Sequence, residues 1–563
     1  MSRALSRRAF LAGGASAALL ASCGGGASGT RTPAPELADE TSEPTAPAAG
    51  ATAAPSPTPR RSGGTARVVA PATLAFDTFD AQRSGEPALA EILGRTHSRI
   101  VEWAEYDPLR IGGDLATRWE QPDPETWTFH LDPRARWQPR APLDGRPVTA
   151  NDVVAHLRRA MELARAARLP AAQRQDDMLR VRAVAAVDER TVRVTTDGPD
   201  PFLLHTLAAR LAFVQAPEAV EAFAKSWHLQ RAADVVGSGP FLYIGANERT
   251  TAAFAAHMEG HRPPQLDGLE LVPAAGSRAL LLGGASDEAL LRDRRDAAAL
   301  RSRPEFAEFA RFEESPVITT VSTGSPPWNN PELLRAFAGA LNRTWLAAEL
   351  FGGRAAPGAP IDPVFGRPFA LAAADLARFP GYGDPEADAR DARRRWDAAG
   401  GAALGTIRID IPSVFDPVYG ASAVLTGRLA AVLGNRFVAA VEPYTTIGER
   451  AASGEYGGGR AALWFGWGPP YDDPDPSRAL VANYGPALPG LRPRLDVMLT
   501  EFESDSRAKI AREVALAVLE AGGGGIVPWL VQRQELFRLR TLRRASPGPF
   551  WIQHRDYEAA FAT

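Results

Sequence analysis

Segment 464–476, WFGWGPPYDDPDP, limits the fold of this chain most strongly, because four of its residues are proline. Proline fixes φ and lacks a backbone N–H, so the segment cannot form a helix or a central strand. The run at 461–463 before it predicts the end of a short buried strand, and the segment predicts an irregular loop. Its aromatic residues Trp464, Trp467 and Tyr471 can stack on a ligand, although a core strand followed by a proline-rich surface loop explains the pattern equally well.

The composition is that of a soluble globular protein without an electrostatic preference for nucleic acid. The chain has 563 residues, of which 45% are hydrophobic and 23% charged. This length allows two or three lobes, each with its own core. The formal net charge of −3 gives no attraction to nucleic acid or to an anionic membrane surface. We therefore expect no nucleic-acid partner.

Residues 1–23 predict a lipoprotein signal peptide. Arg7 and Arg8 precede an apolar and small-residue run at 9–21, which is too short for a stable membrane-spanning helix. The stretch SRRAFL resembles a twin-arginine export signal, although basic residues also begin ordinary signals. The stretch LASC, which ends at Cys23, resembles the bacterial lipoprotein cleavage box. We expect lipidation of Cys23, and a plain secretory signal is the alternative.

Residues 24–62 predict a disordered tether, because they are mostly Gly, Ala, Thr, Pro and Ser and cannot bury enough apolar surface to fold. A lipid anchor, a tether and a large soluble body describe a protein that works just outside a membrane. We therefore expect an extracytoplasmic protein that is lipid-anchored to the cell membrane, in the periplasm or on the outer face.

The first part of the body carries a succession of short motifs. They are DLATRW at 114–119, WTFHL at 127–131, RW at 136–137 and DGRPVTANDVV at 144–154. The second motif alternates as a half-buried strand does. Thr149, followed three residues later by Asp152, predicts a capping box that opens a helix.

The second part of the body predicts three helices and a strand. Asn330 caps a helix predicted over 328–350, with proline in its first turn. Asp384 opens another helix, which a glycine pair closes at 400–401. The stretch 493–519 predicts one more amphipathic helix, and 406–411 alternates as a strand.

These motifs together resemble the extracytoplasmic solute-binding proteins of ABC importers, in the peptide/nickel-binding branch (family 5). The pair Gly466–Trp467, followed by Pro474–Asp475, resembles a second signature of that family. The resemblance spans 63–545. It implies an α/β fold, a two-lobed periplasmic-binding-protein-like clamshell with an inserted subdomain in the first lobe. The implied boundaries are 63–315 with 530–563 for the first lobe and 316–529 for the second.

The resemblance also implies a function. A protein of this family captures a peptide or a similar small solute between its lobes and delivers it to an ABC permease and ATPase complex. The ligand-binding residues that it implies are Trp464, Gly466, Trp467, Pro470 and Tyr471. For Trp467, packing inside the lobe is the alternative. We expect a monomer without a cofactor. The alternative function is a surface sensor or envelope binding protein on the same fold that is not coupled to import.

Pro470 departs from the family pattern. Peptide binders of this family carry an aspartate three residues after the tryptophan of the Gly–Trp pair, and it pairs with the ammonium of the ligand. Proline supplies neither charge nor donor, and a buried ammonium without a counter-ion is costly. The departure weakens the prediction of a peptide ligand. Asp472 or Asp473 could replace the missing carboxylate after a loop shift.

The sequence lacks the usual signatures of an enzyme. It contains no GxxxxGK[ST] phosphate loop and no GxSxG nucleophile motif. His257 and His261 are four residues apart, but methionine stands where a zinc protease needs glutamate. The aspartates at 472, 473 and 475 lack the regular spacing of a calcium loop, so a solvated acidic loop is the preferred interpretation. We expect neither a catalytic nor a metal site.

Overall fold

The computed structural model describes most of the predicted folded body. The described residues are 63–70, 78–84, 86–106, 109–169, 175–224, 232–247, 250–291, 294–456, 460–471, 473–544 and 556–562. The predicted signal peptide 1–23, with Cys23, and the predicted tether 24–62 lie outside them. Asp472 also lies outside them.

The stretch from 65 to 312 supplies two four-stranded sheets and a strand pair. In chain order its elements are β1 (Thr65–Ala70), α1 (Pro87–Thr96), β2 (Val101–Tyr106), β3 (Leu109–Gly113), β4 (Ala116–Asp123), β5 (Thr126–Leu131), α2 (Ala150–Arg165), α3 (Gln175–Met178), β6 (Val181–Ala186), β7 (Thr191–Thr196), α4 (Leu203–Leu207), α5 (Pro217–Ala224), β8 (Phe241–Asn247), β9 (Thr250–Ala256), β10 (Gly268–Pro273), α6 (Ser277–Leu282), β11 (Glu288–Leu291), α7 (Arg294–Arg301) and β12 (Phe306–Phe312). The sheets have strand orders β1-β10-β9-β8 and β4-β5-β7-β6, and β2 pairs with β3.

The stretch from 317 to 561 alternates strands with helices. In chain order its elements are β13 (Val317–Thr320), α8 (Pro331–Leu341), α9 (Arg343–Phe351), β14 (Ala355–Pro357), α10 (Ala373–Leu376), α11 (Pro385–Ala398), β15 (Thr406–Pro412), α12 (Asp416–Tyr419), α13 (Ala421–Leu433), β16 (Arg436–Glu442), α14 (Tyr444–Ala452), β17 (Ala462–Trp467), α15 (Ser477–Tyr484), α16 (Arg492–Met498), α17 (Ser504–Glu520), β18 (Ile526–Leu539), β19 (Leu542–Arg543) and β20 (Ala560–Phe561). β15 is parallel to both of its neighbours, β16 and β17.

An eight-stranded sheet joins the two stretches. Its order is β11-β18-β13-β17-β15-β16, and β12 and β14 also pair with β18. The first half of β18 pairs with β13 and β14, and its second half pairs with β11 and β12. Beside β18, residues 313–316 lead from β12 to β13, and the Glu313 N–H donates to the Gln532 carbonyl at 2.8 Å. The chain therefore crosses between the two stretches twice, through residues 313–316 and through β18, and these two adjacent crossings form a narrow hinge.

A large apolar core lies on each side of the hinge. The first-lobe core contains Phe129 and Trp137, and the second-lobe core contains Trp328, Trp396 and Trp529. Each of these side chains is at least 98% buried, which is typical of an independent lobe core. The predicted lobe boundaries at 315–316 and 529–530 stay a prediction. No helix within the described ranges is long and apolar enough to cross a membrane.

The capping motifs predict helix starts correctly. Thr149 and Asp152 form the predicted capping box at α2, where the Thr149 N–H donates to Asp152 Oδ2 at 2.8 Å. The Asn330 side chain accepts from the Glu332 N–H at the start of α8, at 3.0 Å. Asp384 caps α11 in the same way. Local polar side chains therefore define where these helices begin.

Three predicted element boundaries are wrong. The helix predicted over 328–350 is divided into α8 and α9, because Asn342 adopts a φ of 38° and caps α9 by accepting from the Trp345 N–H. The helix predicted over 493–519 is divided into α16 and α17. The strand predicted to end at 461–463 continues to Trp467, since the prolines that end it come only after Gly468.

Candidate functional site

Strand β17 carries predicted ligand residues on both of its faces. It pairs antiparallel with β13 and parallel with β15, so it lies inside the second-lobe sheet. Side chains alternate between the two faces of a strand. Trp464 and Trp467 are three positions apart, and they therefore point to opposite faces and do not form one aromatic wall.

Trp464 lies in a small core beneath α14. It is 2% exposed and packs with Ile318, Ile447 and Tyr456. Its indole Nε1 is buried and has no hydrogen-bond partner among the described residues. This location limits Trp464 to contact through neighbouring side chains rather than direct contact with a solute in the present conformation.

Trp467 is the half-buried tryptophan of the pair. Its ring packs edge-on against Phe415 at 4.9 Å and against Tyr419 at 5.8 Å between ring centroids. Its carbonyl accepts a hydrogen bond from the Tyr444 hydroxyl at 3.0 Å. The indole Nε1 is buried without an acceptor within the described part of the chain. A buried donor without an acceptor is costly, so a change of conformation that brought an acceptor to this N–H would be favourable.

Gly466 is required by packing within the sheet. A Cβ at this position would lie 2.7 Å from both Cδ and Cγ of Pro412 in the neighbouring strand β15. It would also lie 3.5 Å from the Tyr444 hydroxyl oxygen. The absence of a side chain here therefore lets β15 approach β17.

Pro470 and Tyr471 follow β17 in a loop that runs along the hinge. The Gly468 N–H donates to the Pro316 carbonyl at 2.7 Å, and the Tyr471 N–H donates to the Glu314 carbonyl at 2.9 Å. Pro470 and Tyr471 are both half-buried. The loop is thus tied by its backbone to one of the two hinge crossings.

The Tyr471 ring packs on Phe365, with 4.9 Å between ring centroids and 36° between ring planes. Phe365 comes from the second-lobe range but is buried in the first-lobe core, and Tyr471 packs against that core. Burial raises the pKa of the Tyr471 hydroxyl well above its usual value, and the nearby Asp362 carboxyl raises it further. Tyr471 is therefore neutral and can donate one hydrogen bond.

Asp362 is a buried acidic residue near this loop that the sequence analysis did not identify. It is 2% exposed. Its Oδ1 accepts from the N–H groups of Val364 at 2.7 Å and Phe365 at 3.1 Å, whereas Oδ2 has no partner among the described residues. Burial raises the pKa of Asp362 to about 7, against the opposing effect of those two N–H donors. No local sequence pattern distinguishes it from a surface turn aspartate.

The aspartates after Tyr471 are not a solvated acidic loop, and that interpretation is wrong for the two that are described. Asp475 is 1% exposed and accepts from Arg507 Nε at 2.8 Å. Asp473 accepts from Arg478 Nη2 at 2.6 Å. Burial alone would lower the pKa of Arg478, but the carboxylates of Asp177 and Asp473 outweigh it and raise the pKa. Asp473 and Asp475 are therefore paired with arginines and do not face solvent as a free acidic loop would.

His257 and His261 have separate partners. His257 Nδ1 lies 3.0 Å from the Gly239 carbonyl oxygen, and His261 Nε2 lies 3.2 Å from Asp114 Oδ1. Among the described residues, no group of three or more histidine, cysteine, aspartate or glutamate side chains is arranged to hold a metal ion. The pair therefore links loops of the first lobe.

A small surface pocket lies in the second lobe and shares no residue with β17 or the loop after it. Its polar lining is Arg335, Arg343 and Tyr382. Arg343 is buried and donates to the carbonyls of Gly358 and Pro528, at 2.8 Å and 2.7 Å. These bonds fasten α9 to β18, which is a structural role.

The family model for bacterial extracellular solute-binding proteins, family 5 Middle, matches residues 110–486. This match covers most of the folded body and both lobes. The chain belongs to the family 5 bacterial extracellular solute-binding proteins. The predicted family is confirmed, and family 5 proteins are extracytoplasmic.

Curated relatives match over shorter stretches. The periplasmic oligopeptide-binding protein OppA of Salmonella typhimurium is 29% identical over 139 residues, which are 23% of this chain and 24% of that protein. OppA of Escherichia coli is 28% identical over 125 residues, 20% of this chain and 22% of the relative. The chain thus matches about a quarter of the length of these curated relatives.

Solved family 5 structures share the fold over nearly their whole length. The periplasmic binding protein DppA from Helicobacter pylori, in complex with the peptide STSA, has a TM-score of 0.71 at 17% identity. That comparison covers 89% of this chain and 99% of DppA. AgaA from A. tumefaciens R10, in complex with agropinic acid, has a TM-score of 0.65 at 19% identity, with the same coverages. The predicted two-lobed fold is confirmed.

Proposed function

We propose that this protein is a lipid-anchored solute-binding protein that captures a small solute between its lobes and delivers it to the permease of an ABC importer. The family 5 match over 110–486 carries the proposal. Neighbours of the same fold hold the peptide STSA and agropinic acid, so the fold accepts more than one class of solute. Two lobes joined by a narrow hinge can close around a solute. The closed shape of the protein then differs from the open one, so the permease can recognise that a solute is bound.

The proposed ligand wall is the end of β17 and the loop after it. Trp467 supplies a half-exposed ring and an indole N–H without an acceptor among the described residues. Tyr471 supplies a neutral hydroxyl group, and Pro470 stiffens the loop between them. We assign Trp464 and Gly466 a supporting role, since one packs beneath the strand and the other admits the neighbouring strand.

The proposed solute is neutral or anionic where a peptide would carry its terminal ammonium. Pro470 offers no carboxylate at the position where peptide binders of the family carry aspartate. Asp473 accepts a hydrogen bond from Arg478 Nη2 at 2.6 Å. A loop shift that moved Asp473 towards a ligand would take this carboxylate away from the buried Arg478. Such a loss costs several kcal/mol, which argues against Asp473 as the substitute.

The proposed membrane anchor is Cys23, which lies outside the described residues. Cys23 ends an apolar run and follows the sequence Leu-Ala-Ser. Acylation at this residue would hold the soluble body at the membrane through residues 24–62. Attachment keeps the receptor close to the permease, which raises its effective concentration there.

Solute carried through a gentle purification tests the proposed function. The Cys23→Ser protein, expressed in the native host, is measured by native mass spectrometry. We expect a discrete mass excess that is lost on denaturation. Trp467→Ala should lower the affinity for the recovered solute at least ten-fold, equal to about 1.4 kcal/mol, with little change in the melting temperature of the solute-free protein.

Trp464→Ala is the matched control. Trp464 is buried, so its removal should lower stability by about 3–5 kcal/mol through the cavity it leaves. If Trp467→Ala destabilises the solute-free protein to the same extent, Trp467 is a core residue and the proposed wall is wrong. If the wild-type protein retains no solute and none in a host extract binds to it, the receptor proposal is wrong.

A further inference from the structure

The loop after β17 continues into a segment that reaches the first lobe. We call residues 468–471 and 473–478 the hinge strap. Its first part is bonded to the 313–316 crossing by the Gly468 and Tyr471 N–H groups, at 2.7 Å and 2.9 Å. The hinge strap therefore starts alongside the hinge, although it is a segment of the second lobe rather than a covalent link between lobes.

Arg210 of the first lobe binds the hinge and the hinge strap at once. Its Nη2 donates to Glu314 Oε2 at 2.5 Å and to the Tyr471 carbonyl at 3.3 Å. Arg210 is 7% exposed and Glu314 is 6% exposed. A charge-assisted bond shielded from water is stronger than a surface pair. The Arg210 guanidinium of the first lobe thus links the 313–316 crossing to the hinge strap.

A second group of polar contacts fastens the far end of the hinge strap. Asp473 Oδ1 lies 3.0 Å from His205 Nδ1 in α4. Arg478 donates from Nη1 to Thr206 Oγ1 at 3.0 Å and to the Asp177 carboxylate in α3, while its Nη2 binds Asp473. Every partner except Asp473 belongs to the first lobe. The contacts therefore bridge the two lobes.

Aromatic contacts add to these two groups of polar contacts. Tyr471 and Phe365, both from the second lobe, pack against the first-lobe core. The Phe202 ring of the first lobe lies 5.0 Å from the Arg478 guanidinium and 5.2 Å from that of Arg507. Cations over an aromatic face add to the attraction when they are shielded from water.

We propose that the hinge strap is a third, non-covalent connection between the lobes, and that Arg210 and Arg478 are positioning residues that set the orientation of the lobes in the solute-free protein. Two crossing strands alone allow rotation about their common axis, whereas a third connection beside them restricts it. The inference goes beyond the proposed function, because it concerns the protein without solute. Any rearrangement of the lobes has to keep or break these named contacts.

Distances between spin labels on the two lobes test the proposal. The labels are placed by Val187→Cys and Val497→Cys in a Cys23→Ser background, because Val187 and Val497 are 49% and 55% exposed on different lobes. Pulsed electron paramagnetic resonance then measures the distance distribution without solute. We expect a narrow distribution in the parent protein and at least a two-fold broadening in Arg210→Gln and in Arg478→Gln.

Arg146→Gln is the matched control. Arg146 binds Asp152 at 2.7 Å and Glu218 at 2.7 Å, all within the first lobe. This variant loses arginine–carboxylate pairs that lie within one lobe, and it should keep the narrow distribution. Arg478→Lys should restore part of the narrow distribution, because lysine retains the charge. If Arg478→Gln does not fold, the milder pair His205→Gln and Asp473→Asn replaces it.

An unchanged distribution in the folded variants of the hinge strap would overturn the proposal. Equal broadening in Arg146→Gln would overturn it too, since the effect would then follow from general loss of stability. No solute is used, so the outcome does not depend on whether the proposed receptor function is correct.

Discussion

Asp362 combines a bonded oxygen with a buried oxygen that has no partner among the described residues. Burial raises its pKa from 3.8 to about 7. In the unfolded chain the carboxyl releases its proton near pH 4, whereas the folded protein holds that proton until about pH 7. Folding therefore binds a proton between these values, and the free energy of unfolding should fall as the pH rises from about 4 to about 7, then level off.

The pH dependence is checked by denaturant unfolding at pH 5 and pH 8. We expect Asp362 to account for a loss on the order of 3 kcal/mol at most between these two pH values, because at pH 5 the carboxyl is already mostly ionised in the unfolded chain. Asp362→Asn should remove this part of the slope, because asparagine does not titrate. Asp496→Asn, at a side chain that is 52% exposed, should keep the wild-type slope. An unchanged slope in Asp362→Asn would show that Asp362 is ionised in the folded protein.

The sequence predicts the position and role of some residues at the candidate site but not of others. The two-residue period of a strand separates Trp464 from Trp467 once β17 is known to reach Trp467. Asp362 and His205 could not be predicted, because the tertiary fold determines the burial of Asp362 and the partner of His205. The His205–Asp473 contact spans 268 residues. Local patterns carry no information about such pairs.

At the scale of elements, Gly466 tests how closely β15 and β17 pack. Gly466→Ala would force a methyl group to 2.7 Å from Pro412, whose ring cannot rotate away. We expect a loss of about 1–3 kcal/mol in the free energy of unfolding, measured by chemical denaturation. Gly427→Ala in α13 is the control, since nothing lies within 4 Å of the added Cβ.

Alanine in place of a helical glycine should raise stability by about 0.5–1 kcal/mol, so the two glycine variants should change stability in opposite directions. A neutral Gly466→Ala would mean that the two strands can separate enough to admit a methyl group. The alternative explanation, that Gly466 lets a solute approach the strand, would then be favoured.

Helix starts were predictable and helix interruptions were not. Caps at Thr149, Asn330 and Asp384 are short-range signals, and the structure has helices beginning after each. The break at Asn342 depends on long-range bonds, since its Nδ2 donates to Asp388 Oδ2 at 2.7 Å and to the Gly383 carbonyl at 3.0 Å. Tertiary contacts of this kind override a continuous helical pattern.

At the scale of the whole molecule, attachment to the membrane is expected to depend on one residue. Cys23→Ser should move the protein from the membrane fraction to the soluble fraction, because the thiol that would carry the acyl chains is absent. Fractionation followed by immunoblotting measures the shift, and Ser22→Ala serves as the matched control. Unchanged membrane partitioning of the Cys23→Ser protein would contradict lipidation at this position.

The arrangement of β18 has a consequence for how the chain acquires its structure. Its last half pairs with β11 across 250 residues, from Glu288 to Arg538, and its first half pairs with β13. Contacts that close such long loops form late, since the entropy of closure must be overcome before any pairing energy is gained. A nascent chain that has not yet emerged beyond residue 526 thus exposes two incomplete sheet edges, both open to association with other chains. The growing polypeptide therefore needs protection of those edges until synthesis is almost finished.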